Sequence, residues 1–260
     1  MKKPLENVKL IDSSKIEILP LYDWHYGSEE CNEKLIHKII KYISETPNCY
    51  TFLGGDLIEC AVYGKLNNVH TQSIQVTEQV TQLCELLEPI KHKILFSICG
   101  NHEYRIEKST GLDIAALIAF NLDVPYFKWE THFMLKLNSQ KKQGDKRNVY
   151  IYAHHGSGGG GSSGGKINAV EKFHFRAPFA NAIFCGHVHF TSETRKLIRY
   201  LSQNGVTKNM VQYYISCGTA HESDGYAAMK GYAPIPTGLM LAKFEIMIDD
   251  TVKCDTVVFD

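Results

Sequence analysis

Along the first half of the chain the apolar positions switch between two rhythms. Ile16, Ile18 and Leu19 to Leu21 form a short apolar run ending in Tyr22-Asp23-Trp24-His25, whereas Leu35, Ile36, Ile39, Ile40 and Ile43 recur at helical spacing. The alternation repeats twice. Cys49 to Leu53 runs into Gly54-Gly55-Asp56-Leu57-Ile58-Glu59, and roughly Thr71 to Leu87 carries Val76, Val80, Leu83, Cys84 and Leu87 on one face before Pro89 stops it. Ile94 to Cys99 then delivers Gly100-Asn101-His102-Glu103, and Leu112 to Leu122 is helical again. Strands joined by helical crossovers are parallel, so the three polar clusters are expected at one carboxyl edge of a sheet, where open α/β sheets build their sites.

Beyond residue 130 strand propensity dominates, in segments 133–137, 149–153, 182–185, 211–216, 239–246 and 252–258. The expected fold class is therefore α/β: a four-layer α/β/β/α sandwich, two mixed β-sheets packed face to face with helices outside, in one domain over residues 1–260. The polar, basic stretch 138–148 reads as an exposed hairpin. Residues 156–165 are all Gly or Ser, the composition of a flexible linker. Their place directly after His154-His155, between two groups of candidate ligands, instead predicts a loop overhanging the site.

Composition narrows function more than fold. With 44% apolar and 22% charged residues in 260, the chain can bury a sizeable core. Lys plus Arg equals Asp plus Glu at 28 each, so no whole-protein field draws in polyanions such as duplex DNA, and any nucleic-acid affinity must be local. The eight cysteines form no CxxC pair and no disulfide framework, so they read as reduced, mostly buried residues. The opening Met1-Lys2-Lys3-Pro4-Leu5-Glu6 lacks the apolar run of a signal peptide, and no stretch is long and apolar enough to span a bilayer. A cytoplasmic protein without membrane association is expected.

Taken singly, the polar clusters have ordinary explanations: Asp-x-His arises by chance, Gly-Asp after a strand is a common turn, and Asn-His near a helix start is a common cap. His187-Val188-His189, after the run 182–185 and Gly186, is more informative, because two imidazoles two residues apart on extended chain point the same way. Together, five clusters each follow an apolar strand and consist of Asp, Asn and His, the types that hold borderline divalent metals. The ordered set D-x-H, G-D-x-x, G-N-H-[DE], H and G-H-x-H, running from Asp23 to His189, resembles the calcineurin-like metallophosphoesterase superfamily. That resemblance implies two divalent metal ions, manganese foremost, with Fe, Zn, Co, Ni or Mg as alternatives. It implies Asp23, His25 and His189 on one metal, Asn101, His187 and one of His154 and His155 on the other, and Asp56 as the bridge. His155 is favoured, since in relatives with an H-G step the ligand directly precedes the glycine; His154 stays open. Glu59 would support the ligands rather than bind metal.

Two divalent cations, two carboxylates and a bridging hydroxide leave a net charge of about +1, a site that favours anions. Paired metals also acidify a shared water and clamp the oxygens of an in-line displacement, so the implied reaction is direct attack of that hydroxide on a phosphomono- or phosphodiester. His102, next to Asn101, is the expected proton donor to the leaving oxygen, with a structural cap as its alternative. Asp56 counts with His102 as catalytic, and Asn101, His102 and Arg105 as the phosphate-binding set, although Arg105 can equally be a solvated helix-start residue. His221, in Cys217-Gly218-Thr219-Ala220-His221, precedes a loop at 226–238 whose Tyr226 and Tyr232 are expected to wall the substrate pocket or pack on the sheet. The glycine-rich stretch and this loop look similar to compact phage and prophage members of the superfamily. Without room for a large cap domain, a nucleotide or small phosphodiester is the expected substrate, and a single-stranded nucleic-acid end is a further possibility. A DNA nuclease of the same superfamily and a non-catalytic scaffold of the same fold are the competing functions.

Overall fold

The computed structural model describes residues 7–62, 72–159, 161–202, 204–222, 231 and 233–260. The periodicities become β1 (Val8–Leu10), β2 (Lys15–Ile18), α1 (Glu33–Glu45), β3 (Cys49–Leu53), α2 (Val76–Leu87), β4 (Ile94–Ser97), α3 (Asn101–Thr110) and α4 (Ile114–Asn121). The strand-rich half supplies β5 (Glu130–Asn138), β6 (Lys146–His154), α5 (Ser163–Glu171), β7 (Ala182–Cys185), β8 (Thr191–Leu201), β9 (Thr207–Thr219), β10 (Gly238–Ile246) and β11 (Val252–Phe259). Among the described residues no helix is long and apolar enough to cross a membrane, and all eight cysteines are free.

The class is mixed α/β, as the alternating periods predict. β2 and β3 pair in parallel, as do β3 and β4, which brings their carboxyl ends to one edge. The strands hydrogen-bond as one eleven-stranded path rather than as two separate sheets, in the order β1-β5-β6-β7-β9-β10-β2-β3-β4, with β8 on β9 and β11 on β10. Only two residue pairs, Gly238 with Thr219 and Leu239 with Gly218, join β9 to β10. So brief a join lets the path bend, and apolar faces from the two halves meet in one cluster that contains Phe52, Phe96 and Phe244 from one side and Phe133, Ile151 and Phe184 from the other.

Helices cover the remaining apolar faces. α1 buries Leu35, Ile36, Ile39, Ile40 and Ile43 in a cluster shared with α2, α4 and the β2–β3 region, and its first turn is capped by Asn32, whose side chain accepts from Leu35 N–H at 3.0 Å. On the other half, Val170 of α5 and the following Phe173 pack on Tyr152, Ile183 and Tyr214. The stretch 156–165, expected to be loop, is loop only in part: Ser163–Gly165 open α5, whose cap Ser162 accepts from Gly165 N–H at 3.2 Å. The expected hairpin at 138–148 is present, closing the β5–β6 ladder at Asn138 and Lys146.

Phe52 holds the halves together. It is fully buried, stacked on Phe96 at 4.6 Å and edge-on to Phe184 across the core at 5.5 Å. Phe52→Ala is expected to cost about 3–5 kcal/mol in urea unfolding, the range for a large aromatic removed from a close-packed interior; a loss under about 1 kcal/mol would show that the two halves do not depend on this contact.

Candidate metal centre

The segments that leave the parallel strands β2, β3 and β4 carry Asp23, Asp56 and Asn101, the last opening α3, and the segments after β6 and β7 deliver His155, His187 and His189 to the same place. Backbone amides fix one oxygen of each carboxylate: His187 N–H donates to Asp23 Oδ2 and His102 N–H to Asp56 Oδ1, both at 2.7 Å. The remaining oxygens face imidazoles. His155 Nε2 lies 3.2 Å from Asp56 Oδ2 and 3.9 Å from Asp23 Oδ1, and His189 Nε2 lies 3.5 Å from Asp23 Oδ1. Asn101 Oδ1 sits 2.7 Å from His187 Nδ1 and 3.1 Å from His155 Nε2. Among the described His, Cys, Asp and Glu residues, three sets have donor atoms within 4.8 Å of one another: Asp23, His25 and His189; His25, Asp56 and His102; Asp56, His155 and His187.

This packing needs positive charge at its centre. His155 Nδ1 donates to the Gly54 carbonyl at 3.0 Å, which leaves its Nε2 lone pair aimed at carboxylate and amide oxygens. His25 Nδ1 is likewise tied to Glu59 Oε2 at 3.0 Å, which turns its Nε2 toward His189 Nε2 at 3.1 Å. Acceptors that converge in this way repel unless a proton or a cation lies between them. Asp23 Oδ1 is buried and has no hydrogen-bond partner, a costly state for a carboxylate oxygen without a counter-charge. The donor set of carboxylate, amide oxygen and imidazole fits divalent cations.

The titration behaviour agrees. Burial works to lower the His155 pKa, but Asp56 and then Asp23 overcome it and raise the value to about 10. Burial would raise Asp56, yet His155 and His102 hold it well below the usual carboxylate range. Burial, followed by the His102 charge, lowers His25 to about 4.

The sequence matches the family model for calcineurin-like phosphoesterases over residues 23–190, more than half of the chain. The chain belongs to that family. Among solved structures, this phosphoesterase is similar to a predicted phosphoesterase from Streptococcus pneumoniae TIGR4, with 12% identity over 94% of this chain and 98% of that one and a TM-score of 0.37. It is also similar to a protein described as a candidate 5′-nucleotidase from Staphylococcus aureus, with 11% identity over 94% of this chain and 54% of that one and a TM-score of 0.48. A third is Vps29 from Entamoeba histolytica complexed with zinc, with 11% identity over 94% of this chain and all of that one and a TM-score of 0.40. Comparison with curated proteins gave no significant match.

The backbone of this phosphoesterase is held in an uncommon conformation where these side chains emerge. Asp23, His25, Asp56, His187 and His189 all have φ between 48° and 69°, in the left-handed region that non-glycine residues seldom occupy. The glycines nearby are there for close approach. A Cβ on Gly100 would lie 2.1 Å from Asp56 N, and one on Gly186 would lie 2.5 Å from Asp23 Oδ2.

Two adjacent histidines take opposite sides. His155 enters the cluster, whereas His154 is turned away, its Nδ1 accepting from Gly156 N–H at 2.8 Å and its ring 4.4 Å from Phe173. The candidate ligand set therefore loses His154, because successive side chains at a strand end face opposite ways. His102 is buried, its Nδ1 2.7 Å from the Glu59 carbonyl and its Nε2 3.7 Å from Asp56 Oδ2. Arg105 places Nη1 3.2 Å from His102 Nδ1, flanking that ring on the side away from Asp56. His221 brings its ring to 4.7 Å from that of His25, with Nε2 3.2 Å from Ser28 Oγ and 3.5 Å from Glu30 Oε2. Tyr226 and Tyr232, expected to wall the pocket, lie outside the described residues.

Glu103 is the residue to which the sequence reading gave no role. It is buried, and its carboxylate accepts from the N–H groups of Asp56 at 2.9 Å, Leu57 at 2.8 Å and Gly100 at 3.1 Å. One side chain thus ties the loop after β3 to the start of α3. The available signal was the helix-start pattern of an acidic residue three positions after Gly100. Glu103→Gln keeps the shape but turns an N–H2 group toward backbone donors, so a loss of about 1–3 kcal/mol is expected in denaturant unfolding. A change under about 0.5 kcal/mol would show that the loop does not rely on the carboxylate.

Proposed function

We propose that this chain, acting as one domain over residues 1–260, is a dinuclear metal-dependent phosphoesterase that hydrolyses phosphomono- or phosphodiesters, with nucleotides or small phosphodiesters as substrates. The observation that carries the reading is the convergence of Asp23 Oδ1, buried without a hydrogen bond, with the Nε2 atoms of His155 at 3.9 Å and His189 at 3.5 Å. Asp23, His25 and His189 would hold one cation and Asn101, His155 and His187 the other, with Asp56 between them. Manganese is the first choice, and iron, zinc, cobalt, nickel and magnesium also suit these donors. Bound there, two divalent cations supply positive charge for the phosphoryl oxygens and acidify water for attack on phosphorus.

The chain's own side chains do the rest. His102 has its Nδ1 committed to the Glu59 carbonyl, so a proton at Nε2 is the one it can deliver to the leaving oxygen. Burial disfavours its charged form, but Asp56 and Glu59 raise its pKa and keep that proton in place. Asn101 presents its oxygen to the imidazoles, which leaves its amide N–H groups for a phosphoryl oxygen, whereas Arg105, at the Nδ1 side of His102, reaches a phosphate only if its side chain swings from that position. Asp56 aligns the cluster through the His102 amide and His155.

The test is hydrolysis of bis(p-nitrophenyl) phosphate and nucleoside monophosphates by protein reconstituted with manganese. Turnover is expected, with removal by a chelator and restoration by the metal. His102→Ala should lower kcat by about 10²–10⁴. Asp56→Asn should lose both metal affinity and turnover. If both variants hydrolyse these esters as fast as the wild type, the centre described above is not where the chemistry occurs.

A further inference from the structure

Two of the imidazoles at the centre, His155 and His25, are oriented by a bond made outside it, from Nδ1 to the Gly54 carbonyl and to Glu59. His189 has no such bond among the described residues. Its Nε2 faces His25 Nε2 at 3.1 Å and Asp23 Oδ1 at 3.5 Å, and its side chain is 30% exposed. A histidine held only at its inward atom is free to leave its rotamer unless another group packs against the ring. His221 supplies that group. Its ring lies 6.0 Å from that of His189 and 4.7 Å from that of His25, and the His25 and His189 rings are 5.0 Å apart, so the three imidazoles form a closed triangle.

His221 is fixed at both ends. The Asp23 carbonyl accepts from the Thr219 hydroxyl at 2.6 Å and from Ala220 N–H at 3.2 Å, and His221 N–H donates to Thr219 Oγ1 at 3.0 Å. Asn32 N–H donates to the Ala220 carbonyl and Glu222 N–H to the Glu30 carbonyl, both at 2.8 Å. The segment after β9 is therefore laced onto the 23–32 loop that carries Asp23 and His25. At the far end of the ring, Nε2 lies 3.2 Å from Ser28 Oγ and 3.5 Å from Glu30 Oε2. With its backbone and its outer nitrogen both held, the ring is a fixed surface for its neighbours. The same contacts separate His221 from the ligands: Nε2 is engaged by Ser28 and Glu30, and His221 belongs to none of the three donor sets.

We propose that His221 is a positioning residue: it does not hold a cation itself but keeps His25 and His189 aimed at the Asp23 site, and so sets the metal affinity of that site and not of the other. The inference rests on the dinuclear reading given above. Manganese binding is followed by loss of the free-ion EPR signal and by calorimetry in two backgrounds. His187→Ala keeps Asp23, His25 and His189, and His189→Ala keeps Asn101, His155 and His187. Adding His221→Ala to the first should weaken manganese binding by about 10–100-fold, the usual cost of losing a group that orients a ligand, and adding it to the second should change binding by less than about twofold. His221→Phe, which keeps a flat ring but has no nitrogen to offer a metal, should recover most of the loss in the first background. Equal weakening in both backgrounds, or none in the first, overturns the assignment. His221→Phe binding no better than His221→Ala overturns it in favour of a direct ligand. Turnover plays no part in these titrations. A protein that gives the expected pattern but hydrolyses no phosphoester supports the role of His221 and overturns the phosphoesterase reading, whereas a wild-type protein that binds no manganese overturns both.

Discussion

The orientation of one imidazole sets the terms for the rest of the centre. Because His155 Nδ1 gives its proton to the Gly54 carbonyl, its Nε2 can only face inward, toward Asp56, Asp23 and Asn101. The bond also joins the end of β6 to the end of β3, strands that belong to the two halves of the bent sheet. Glu59 does the same for His25, and the His102 and His187 amides do it for the two carboxylates. Each inward atom is an acceptor whose alternative direction is already taken. Such a cluster is stable only around positive charge, which is why its chemistry follows from its hydrogen bonds.

Holding acceptors together in this way costs backbone energy, and the core supplies the restraint. The left-handed residues Asp23, His25, Asp56, His187 and His189 alternate with or adjoin Tyr22, Trp24, Leu57 and Val188, all of which are buried. A ligand cannot relax its φ without dragging its neighbour out of the interior. Strain of order 1–3 kcal/mol per residue is tolerable at that junction, because removing a single large apolar side chain from a core costs as much or more.

Much of this centre was readable from the chain before any coordinates. Asp23, Asp56 and Asn101 end three apolar runs separated by helical periods, so parallel pairing alone brings them to one edge. The choice between His154 and His155 was not readable by period. Neighbours on a strand face opposite ways, but which one faces inward depends on the pairing of β6 with β7. β8 is hard to read because Glu193, Arg195, Lys196 and Arg199 break any apolar alternation, as suits a strand that, among the described residues, pairs with β9 alone. α5 was hidden by Gly164 and Gly165 in its first turn, where a local cap and packing on β7 and β9 override low helix propensity. Glu103 was visible as part of the G-N-H-E run, but its reach back to Asp56 and Leu57 in the loop after β3 is a tertiary fact.

Anomalous diffraction from crystals grown with manganese tests the central claim most directly. Two peaks are expected on either side of Asp56, one against Asp23, His25 and His189 and the other against Asn101, His155 and His187, at a separation of roughly 3.5–4 Å. A centre that binds no manganese, or a single ion held away from Asp23 Oδ1 and His155 Nε2, would contradict the account.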